Sequence, residues 1–360
     1  MTPRAQMGFG LVELMIALTI GLLIMAAVSS ILVTSKAMYT TQDSLARLQE
    51  NARFALQVML RDIRMAGYYG CADDLGTVSN RLNGGGGSAN WLDFGNAVEG
   101  SEAQSVLYPS GTALGVVAQV AGSDAFALRY LDPSNAVAIV QEMPQQSASM
   151  KVNSGSELVA GDIVMISDCN NADLFQITNL NAAGSFDNVI HNTGGGWPGN
   201  DSTLNPHKLS KSYSTDARVM KFVSVRYYVA TKANGERALF RQALAATGGA
   251  AAPIEQELAE GVEDMRILYG IDTDGDRSPD RYLKAGVADL DTADEWANVV
   301  SLRVGLLLSS LANKDTTPDK SSGTQKDTAT YSVNGEVVDP PDLARDRRVF
   351  VTTAVVRNRQ

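Results

Sequence analysis

An uninterrupted apolar run near the N-terminus constrains this 360-residue chain more than any other feature. The stretch from Phe9 to Val33 reads FGLVELMIALTIGLLIMAAVSSILV, and Glu13 is its only charged residue. As a helix, these 25 residues would be about 37 Å long, whereas the hydrocarbon core of a bilayer is about 30 Å thick. The run exceeds the roughly 7–15 apolar residues of a cleavable secretory signal. We therefore predict a membrane-spanning helix over residues 9–33.

The rest of the composition excludes several classes of function. With 44% hydrophobic and 19% charged residues, the chain is ordinary for a globular protein, and its net charge of −10 gives no reason to expect nucleic acid as a partner. The glycine runs Gly84–Ser88 and Thr193–Gly199 lack the spacing of a phosphate-binding loop. His191 lies in a polar loop and His207 follows a proline, so both are expected at the surface. We expect no enzymatic activity.

A second helical segment is predicted to follow the apolar run without a break. No Pro or Gly occurs between Gly21 and Gly67, and Gly67 is a suitable stop signal. Charged residues are expected mostly on the other sides of this amphipathic segment, residues 34–66. The predicted apolar face recurs at spacings of three and four: Leu45, Leu48, Ala52, Ala55, Met59, Ile63 and Ala66.

Residues 67–360 are predicted to form a β-rich globular domain, and a subdivision near residue 210 is left open. The absence of helical crossovers favours an α+β fold with a mainly antiparallel sheet. Ile254–Gly261 is read as a short helix or turn, whereas Gly76–Val98 and Lys314–Leu343 are read as exposed loops. The predicted strands are Ala125–Leu131, Ala136–Val140, Asp162–Ser167, Leu174–Thr178, Val219–Val229, Ala238–Gln242, Met265–Gly270, Val299–Leu308 and Val349–Arg357.

The sequence around Gly8 resembles the class III leader junction of type IV prepilins. The match comprises Gly8, Phe9, Glu13 at the fifth position from Phe9, and the apolar run behind them; Gly10 departs from the commoner Thr. The resemblance implies that prepilin peptidase cleaves between Gly8 and Phe9 and methylates the new amino group of Phe9. Residues 1–8, with Arg4, would remain cytoplasmic. In a filament, Glu13 would pair with the Phe9 amino group of a neighbouring subunit, because an unpaired carboxylate in the apolar core is costly.

Three further segments resemble the PilW family of type IV pilus assembly proteins: Leu48–Cys71, Val299–Leu308 and Arg347–Arg359. The resemblance implies a type IV pilin-like fold and a minor pilin in the inner membrane with a periplasmic domain. Its implied partners are other minor pilins, the major pilin, prepilin peptidase and the inner-membrane assembly platform. Such a protein would prime pilus assembly or sit at the pilus tip. The alternatives are a minor pseudopilin of a type II secretion system and an unprocessed membrane-anchored protein that binds calcium or adheres to surfaces.

Two smaller features complete the prediction. Cys71 and Cys169 are expected to form a disulfide, because a domain outside the cytoplasmic membrane meets an oxidising compartment. The DTDGDRSPD stretch places carboxylates at alternate positions, which suits the oxygen preference of Ca²⁺. It departs from an EF-hand loop at its sixth and twelfth positions, and a solvated acidic turn is the alternative. The candidate calcium ligands are Asp272, Asp274, Asp276 and Asp280.

Overall fold

The structure is a computed structural model that describes residues 10–72, 77–83, 90–101, 119–144, 149–194, 196–203, 208–287, 290, 292–310, 330–340, 345 and 347–358. Its contacts divide the chain into two compact units, with the border between Glu50 and Asn51.

A single long helix, α1, spans Leu11–Met65, which confirms the predicted continuous helix and its end. Gly67 adopts a positive φ of 76°, and its amide donates to the carbonyl of Arg129 (3.0 Å). A Cβ at this position would lie 2.6 Å from the carbonyl oxygen of Asn358. Glycine is therefore required at the helix end both by conformation and by space.

The second unit is built mainly from β-strands, as predicted. It also contains a 3-10 helix (Asn90–Leu92) and a one-turn helix, α2 (Ala293–Trp296). The strands of the described residues are β1 (Val78–Asn80), β2 (Val98–Ser101), β3 (Ala125–Gln141), β4 (Ser149–Asn153), β5 (Ile163–Ser167), β6 (Ala172–Gln176), β7 (Asn179–Ala182), β8 (Phe186–Ile190), β9 (Arg218–Thr231), β10 (Arg237–Thr247), β11 (Ala250–Glu260), β12 (Val262–Ile271), β13 (Arg281–Leu283), β14 (Val299–Ser309), β15 (Tyr331–Val333), β16 (Glu336–Val338) and β17 (Arg347–Val355).

These strands form three sheets. The largest has eleven strands with the path β1-β6-β5-β9-β3-β4-β8-β7, to which β2 is added beside β3 and the β10–β11 hairpin beside β9. The second has the order β13-β12-β14-β17, and β15 and β16 form a separate hairpin. Within the described residues, only β1 and β6 pair in parallel, so the predicted mainly antiparallel α+β fold is confirmed.

Two predictions about local structure are wrong. Ile254–Gly261 is no helix or turn, because residues 250–260 form β11, which pairs with β10 across the turn at Gly248 and Gly249. Both glycines have a positive φ, as a two-residue hairpin turn of this kind requires. The two strands predicted at Ala125–Leu131 and Ala136–Val140 are one strand, β3, whose register shifts between Asp132 and Val137.

The segments predicted as exposed loops contain buried elements. Gly76–Val98 includes β1 and the 3-10 helix, and Leu82 and Trp91 within it are buried. Lys314–Leu343 includes the β15–β16 hairpin, whose Val333 is fully buried against Leu307. Short strands and single turns carry too few periodic positions to separate them from loops by sequence.

The core does not separate at residue 210. One hydrophobic cluster joins Leu131 and Met165 with Tyr228, and a second joins Val164 with Val219. Strand β9, which follows residue 210, pairs with β3 and β5, which precede it. Residues on both sides of position 210 therefore share the same cores and the same sheet.

Candidate membrane-anchoring and assembly site

The apolar half of α1 has its side chains exposed. Large hydrophobic residues from Leu11 to Val33 are between 46% and 77% exposed, and the most apolar window has a mean hydropathy of 2.6 with none of it buried. Removing one Leu or Ile side chain from water contributes about 1.5–3 kcal/mol, so this surface favours lipid or other apolar helices as its surroundings. It is the one candidate membrane span among the described residues, as the sequence predicts.

Glu13 lies in the first turn of α1. Its Oε2 accepts a hydrogen bond from the amide of Gly10 (3.0 Å), and the Gly10 carbonyl accepts from the amide of Leu14 (3.2 Å). Gly10 is thus the N-cap and Glu13 the third helical residue, which is half of a capping box. The carboxylate satisfies an amide that helix formation leaves without a partner. Glu13 therefore has a capping role besides the predicted subunit pairing, and the sequence-based prediction did not include it.

The predicted cleavage and methylation positions, Gly8 and Phe9, lie outside the described residues. Their processing and the pairing of Glu13 with a Phe9 amino group therefore stay predictions.

The C-terminal part of α1 is anchored by one buried carboxylate. Asp62 is only 4% exposed and accepts three hydrogen bonds: from the hydroxyl of Tyr130 (2.9 Å), the hydroxyl of Tyr227 (2.5 Å) and Nε of Arg241 (3.0 Å). These residues lie on the neighbouring strands β3, β9 and β10. One helical side chain thus joins α1 to three strands.

The two tyrosines of this cluster are protonated, as donors to the Asp62 carboxylate must be. Burial and the adjacent Asp62 carboxylate raise the pKa of both Tyr130 and Tyr227 far above the usual range of a tyrosine. Both hydroxyls therefore keep their protons and remain donors to Asp62. The Arg241 guanidinium supplies the positive charge that a buried carboxylate needs.

Asp62 is one of the charged residues that the sequence predicts mostly on the other sides of the helix, away from its apolar face. The spacing of the buried residues nevertheless indicates that Asp62 faces the core. Asp62 lies three residues after Met59 and four before Ala66, both of which are fully buried, so it continues the spacing of the apolar face.

A disulfide ties the end of α1 to the large sheet, as predicted. Cys71 is bonded to Cys169, which follows β5, and the bond closes a sequence separation of 98 residues. Tyr69, beside the helix end, is buried and donates its hydroxyl to the carbonyl of Phe94 (2.6 Å). Both contacts hold the chain where it leaves the helix.

The acidic stretch forms the turn between β12 and β13. Asp272, Asp274 and Asp276 each present a carboxylate oxygen within 4.8 Å of the others, whereas Asp280 is not part of this cluster. Asp280 instead accepts hydrogen bonds from the amide (2.7 Å) and hydroxyl (2.5 Å) of Thr273, which lower its pKa. The structure thus brings together three of the four candidate ligands.

The same carboxylates also stabilise the turn. Asp272 accepts from the amides of Gly275 (2.7 Å) and Arg277 (3.0 Å), and Asp276 accepts from the amide of Ser278 (2.6 Å). The solvated-turn alternative accounts for these contacts without an ion. Calcium binding stays a prediction.

The predicted surface position of His191 is wrong. Its side chain is 4% exposed and lies 5.0 Å from the ring of Phe175, in tilted geometry. Its loop neighbours Asn192 and Gly194 are exposed, so only the His191 side chain turns inward, which sequence alone does not indicate. His207 lies outside the described residues.

Two families match the chain. Residues 3–29 match the prokaryotic N-terminal methylation motif, and residues 226–358 match the type IV pilus-assembly protein W, PilW. No curated protein matches the chain. Over these ranges the chain is similar to prepilin-like proteins related to the type IV pilus, and the exposed apolar helix and the sheet-rich unit agree with that similarity.

The match over residues 226–358 then confirms the particular resemblance, which is to PilW. This range runs from within β9 to three residues beyond the end of β17, and it includes Val299–Leu308 and most of Arg347–Arg359. Leu48–Cys71, the third segment on which the resemblance was based, lies outside both matched ranges.

Proposed function

We propose that this chain is a minor pilin of the type IV pilus. In this proposal, prepilin peptidase cleaves it between Gly8 and Phe9 and methylates Phe9, and the apolar part of α1 holds it in the inner membrane with the second unit in the periplasm. It then assembles with other minor pilins to prime pilus growth or to form the pilus tip. Its activity is assembly through helix packing, without catalysis.

The observation that carries this proposal is the coincidence of motif and structure at the N-terminus. The methylation motif covers residues 3–29, and the helix that begins at Leu11 exposes its apolar side chains. A cleavable leader followed by an unpartnered apolar helix is what a subunit needs if it first resides in a membrane and later packs against other such helices. A helix from a soluble core would be buried instead.

A minor pseudopilin of a type II secretion system has the same N-terminal requirements. The match of residues 226–358 to a pilus-assembly family favours the pilus. Cofractionation with pilus subunits, compared with secretion subunits, separates the two.

The direct test is the N-terminal mass of the full chain recovered from native membranes, with and without prepilin peptidase. We expect a chain that starts at methylated Phe9 in the first strain and at Met1 in the second. A chain that starts at Met1 in both strains would refute processing and favour a fixed membrane anchor.

The role of Glu13 is tested by two substitutions. Glu13→Gln keeps an oxygen that can accept the Gly10 amide but removes the charge, whereas Glu13→Ala removes both. If charge pairing with a neighbour directs assembly, both variants are cleaved normally and both fail to enter pilus complexes. Normal incorporation of Glu13→Gln would show that helix capping suffices, and loss of cleavage would contradict the assembly role.

A further inference from the structure

The exposed face of α1 between Asn51 and Met65 is basic, although the chain as a whole has a net charge of −10. Arg53, Gln57, Arg61 and Arg64 are all exposed. At 100° per residue they fall within an arc of about 80°, opposite the buried face. We call these four residues the arginine face. The only carboxylate in this segment, Asp62, is buried.

The arginines of this face differ from five other arginines of the second unit. Among the described residues, no carboxylate lies within 4.0 Å of Arg53, Arg61 or Arg64. Those five arginines form ion pairs within the chain. These are Arg81, Arg129, Arg241, Arg266 and Arg347.

The basic surface extends onto a second element. Asn358 donates from Nδ2 to the carbonyl of Arg64 (3.1 Å), which places the segment that follows β17 beside the helix. Arg357, the residue before it, is exposed and likewise has no carboxylate within 4.0 Å among the described residues. Phe54 on the helix and Val355 on β17 are 50% and 52% exposed. Arginine and aromatic residues such as phenylalanine are enriched in the cores of protein–protein interfaces.

We propose that the arginine face, with Arg357 and Phe54, docks on a carboxylate-bearing surface of a neighbouring pilin subunit. Charge complementarity identifies the partner: four guanidinium groups without a carboxylate of their own would pair with acidic side chains supplied from outside. Exposed ion pairs contribute little, but pairs covered by a partner are less screened by salt and water. The identity of the partner as a pilin rests on the proposed function.

The test uses the full chain in native membranes with a photo-crosslinking amino acid in place of Gln57, at the centre of the face. We expect a crosslink to another pilin subunit at a site with nearby Asp or Glu. Arg53→Glu, Arg61→Glu and Arg64→Glu combined should lower the yield at least about tenfold, which corresponds to a loss of about 1.4 kcal/mol in binding free energy. Reversing the charge of the contacted carboxylates to Arg should restore it.

A matched control is Arg348→Glu, which reverses an exposed arginine near the start of β17, outside the arginine face, and should leave the yield unchanged. Near-UV circular dichroism of each purified variant verifies that it is folded.

Several outcomes would overturn the proposal. These are a crosslink to lipid alone, a yield insensitive to the triple reversal, or retention of duplex DNA by the wild type but not by the reversed variant. The N-terminal mass separates this failure from failure of the proposed function. A chain correctly matured at Phe9 whose reversed variant crosslinks normally refutes the arginine face alone, whereas a chain never matured refutes the pilin assignment.

Discussion

The Asp62 cluster predicts that one substitution on α1 destabilises the whole second unit. In Asp62→Ala, the hydroxyls of Tyr130 and Tyr227 lose their acceptor within the buried region, and each such loss costs about 1–3 kcal/mol. The Arg241 guanidinium, whose side chain is 22% exposed, loses its ion pair but regains some hydration. Breaking one partner of a buried ion pair costs about 3–5 kcal/mol, and we expect a total loss in that range.

The free energy of unfolding is measured by urea titration of the full chain in detergent. Near-UV circular dichroism is the appropriate signal, because it reports the packing of buried tyrosines rather than the helix content of α1. Asp43→Ala is the matched control, since Asp43 pairs with Arg47 at the exposed surface of the same helix and its side chain is 48% exposed. Pairs of this kind contribute about 0.3–0.5 kcal/mol.

The reasoning would be refuted if Asp62→Ala lost no more stability than Asp43→Ala. Asp62→Asn distinguishes the charge from the hydrogen bonds, because the amide oxygen still accepts one or two of them. We expect this variant to fall between the wild type and Asp62→Ala.

Three further predictions concern the second unit. Replacing Cys71 and Cys169 by Ser should lower the free energy of unfolding by at most about 4–5 kcal/mol, because the disulfide closes a 98-residue separation; reductant should lower the melting temperature of the wild type but not of this variant. Burial raises the pKa of Asp124 to about 7, so the folded state retains a proton that the unfolded state releases near pH 4. The stability that this group contributes therefore falls as pH rises from about 4 to 7. Over that window, Asp124→Asn should gain up to about 4 kcal/mol in free energy of unfolding relative to the wild type, measured by unfolding at pH 4.5 and 7.5. A difference between the two proteins that does not depend on pH would contradict this prediction. If the acidic turn binds calcium, millimolar Ca²⁺ should raise the melting temperature of the wild type but not of the double variant Asp274→Asn/Asp276→Asn. An unchanged melting temperature of the wild type would contradict calcium binding.

The sequence predicted the features that repeat over many residues. The apolar run and the period of its continuation predicted both ends of α1 to within two residues, because every turn of the helix repeats the same apolar spacing. Long strands such as β9 and β14 were found for the same reason. Among the strands that were missed, β7 and β16 have only four and three residues and depend on their neighbours for pairing, whereas the longer β11 was read as a helix or turn.

The features of the candidate sites were likewise predictable only where they depend on neighbouring residues or on composition. The N-terminal motif was readable because its residues are adjacent in the chain, and Cys71–Cys169 because the chain offers only two cysteines. The separation of Asp280 from the acidic cluster was not readable, because it depends on the side chain turning to Thr273 rather than on spacing.

Asp62 shows where sequence reasoning ends. Its partners Tyr130, Tyr227 and Arg241 are 68, 165 and 179 residues away, so no local pattern relates them to it. Helical period can state that position 62 faces the core, but a carboxylate is tolerated there only if the sheet brings donors to the same point. Those donors meet because β3, β9 and β10 are neighbours, which is a property of the strand order. The charged residue that a sequence reader assigns to solvent is thus the residue by which the fold fixes the helix to the sheet.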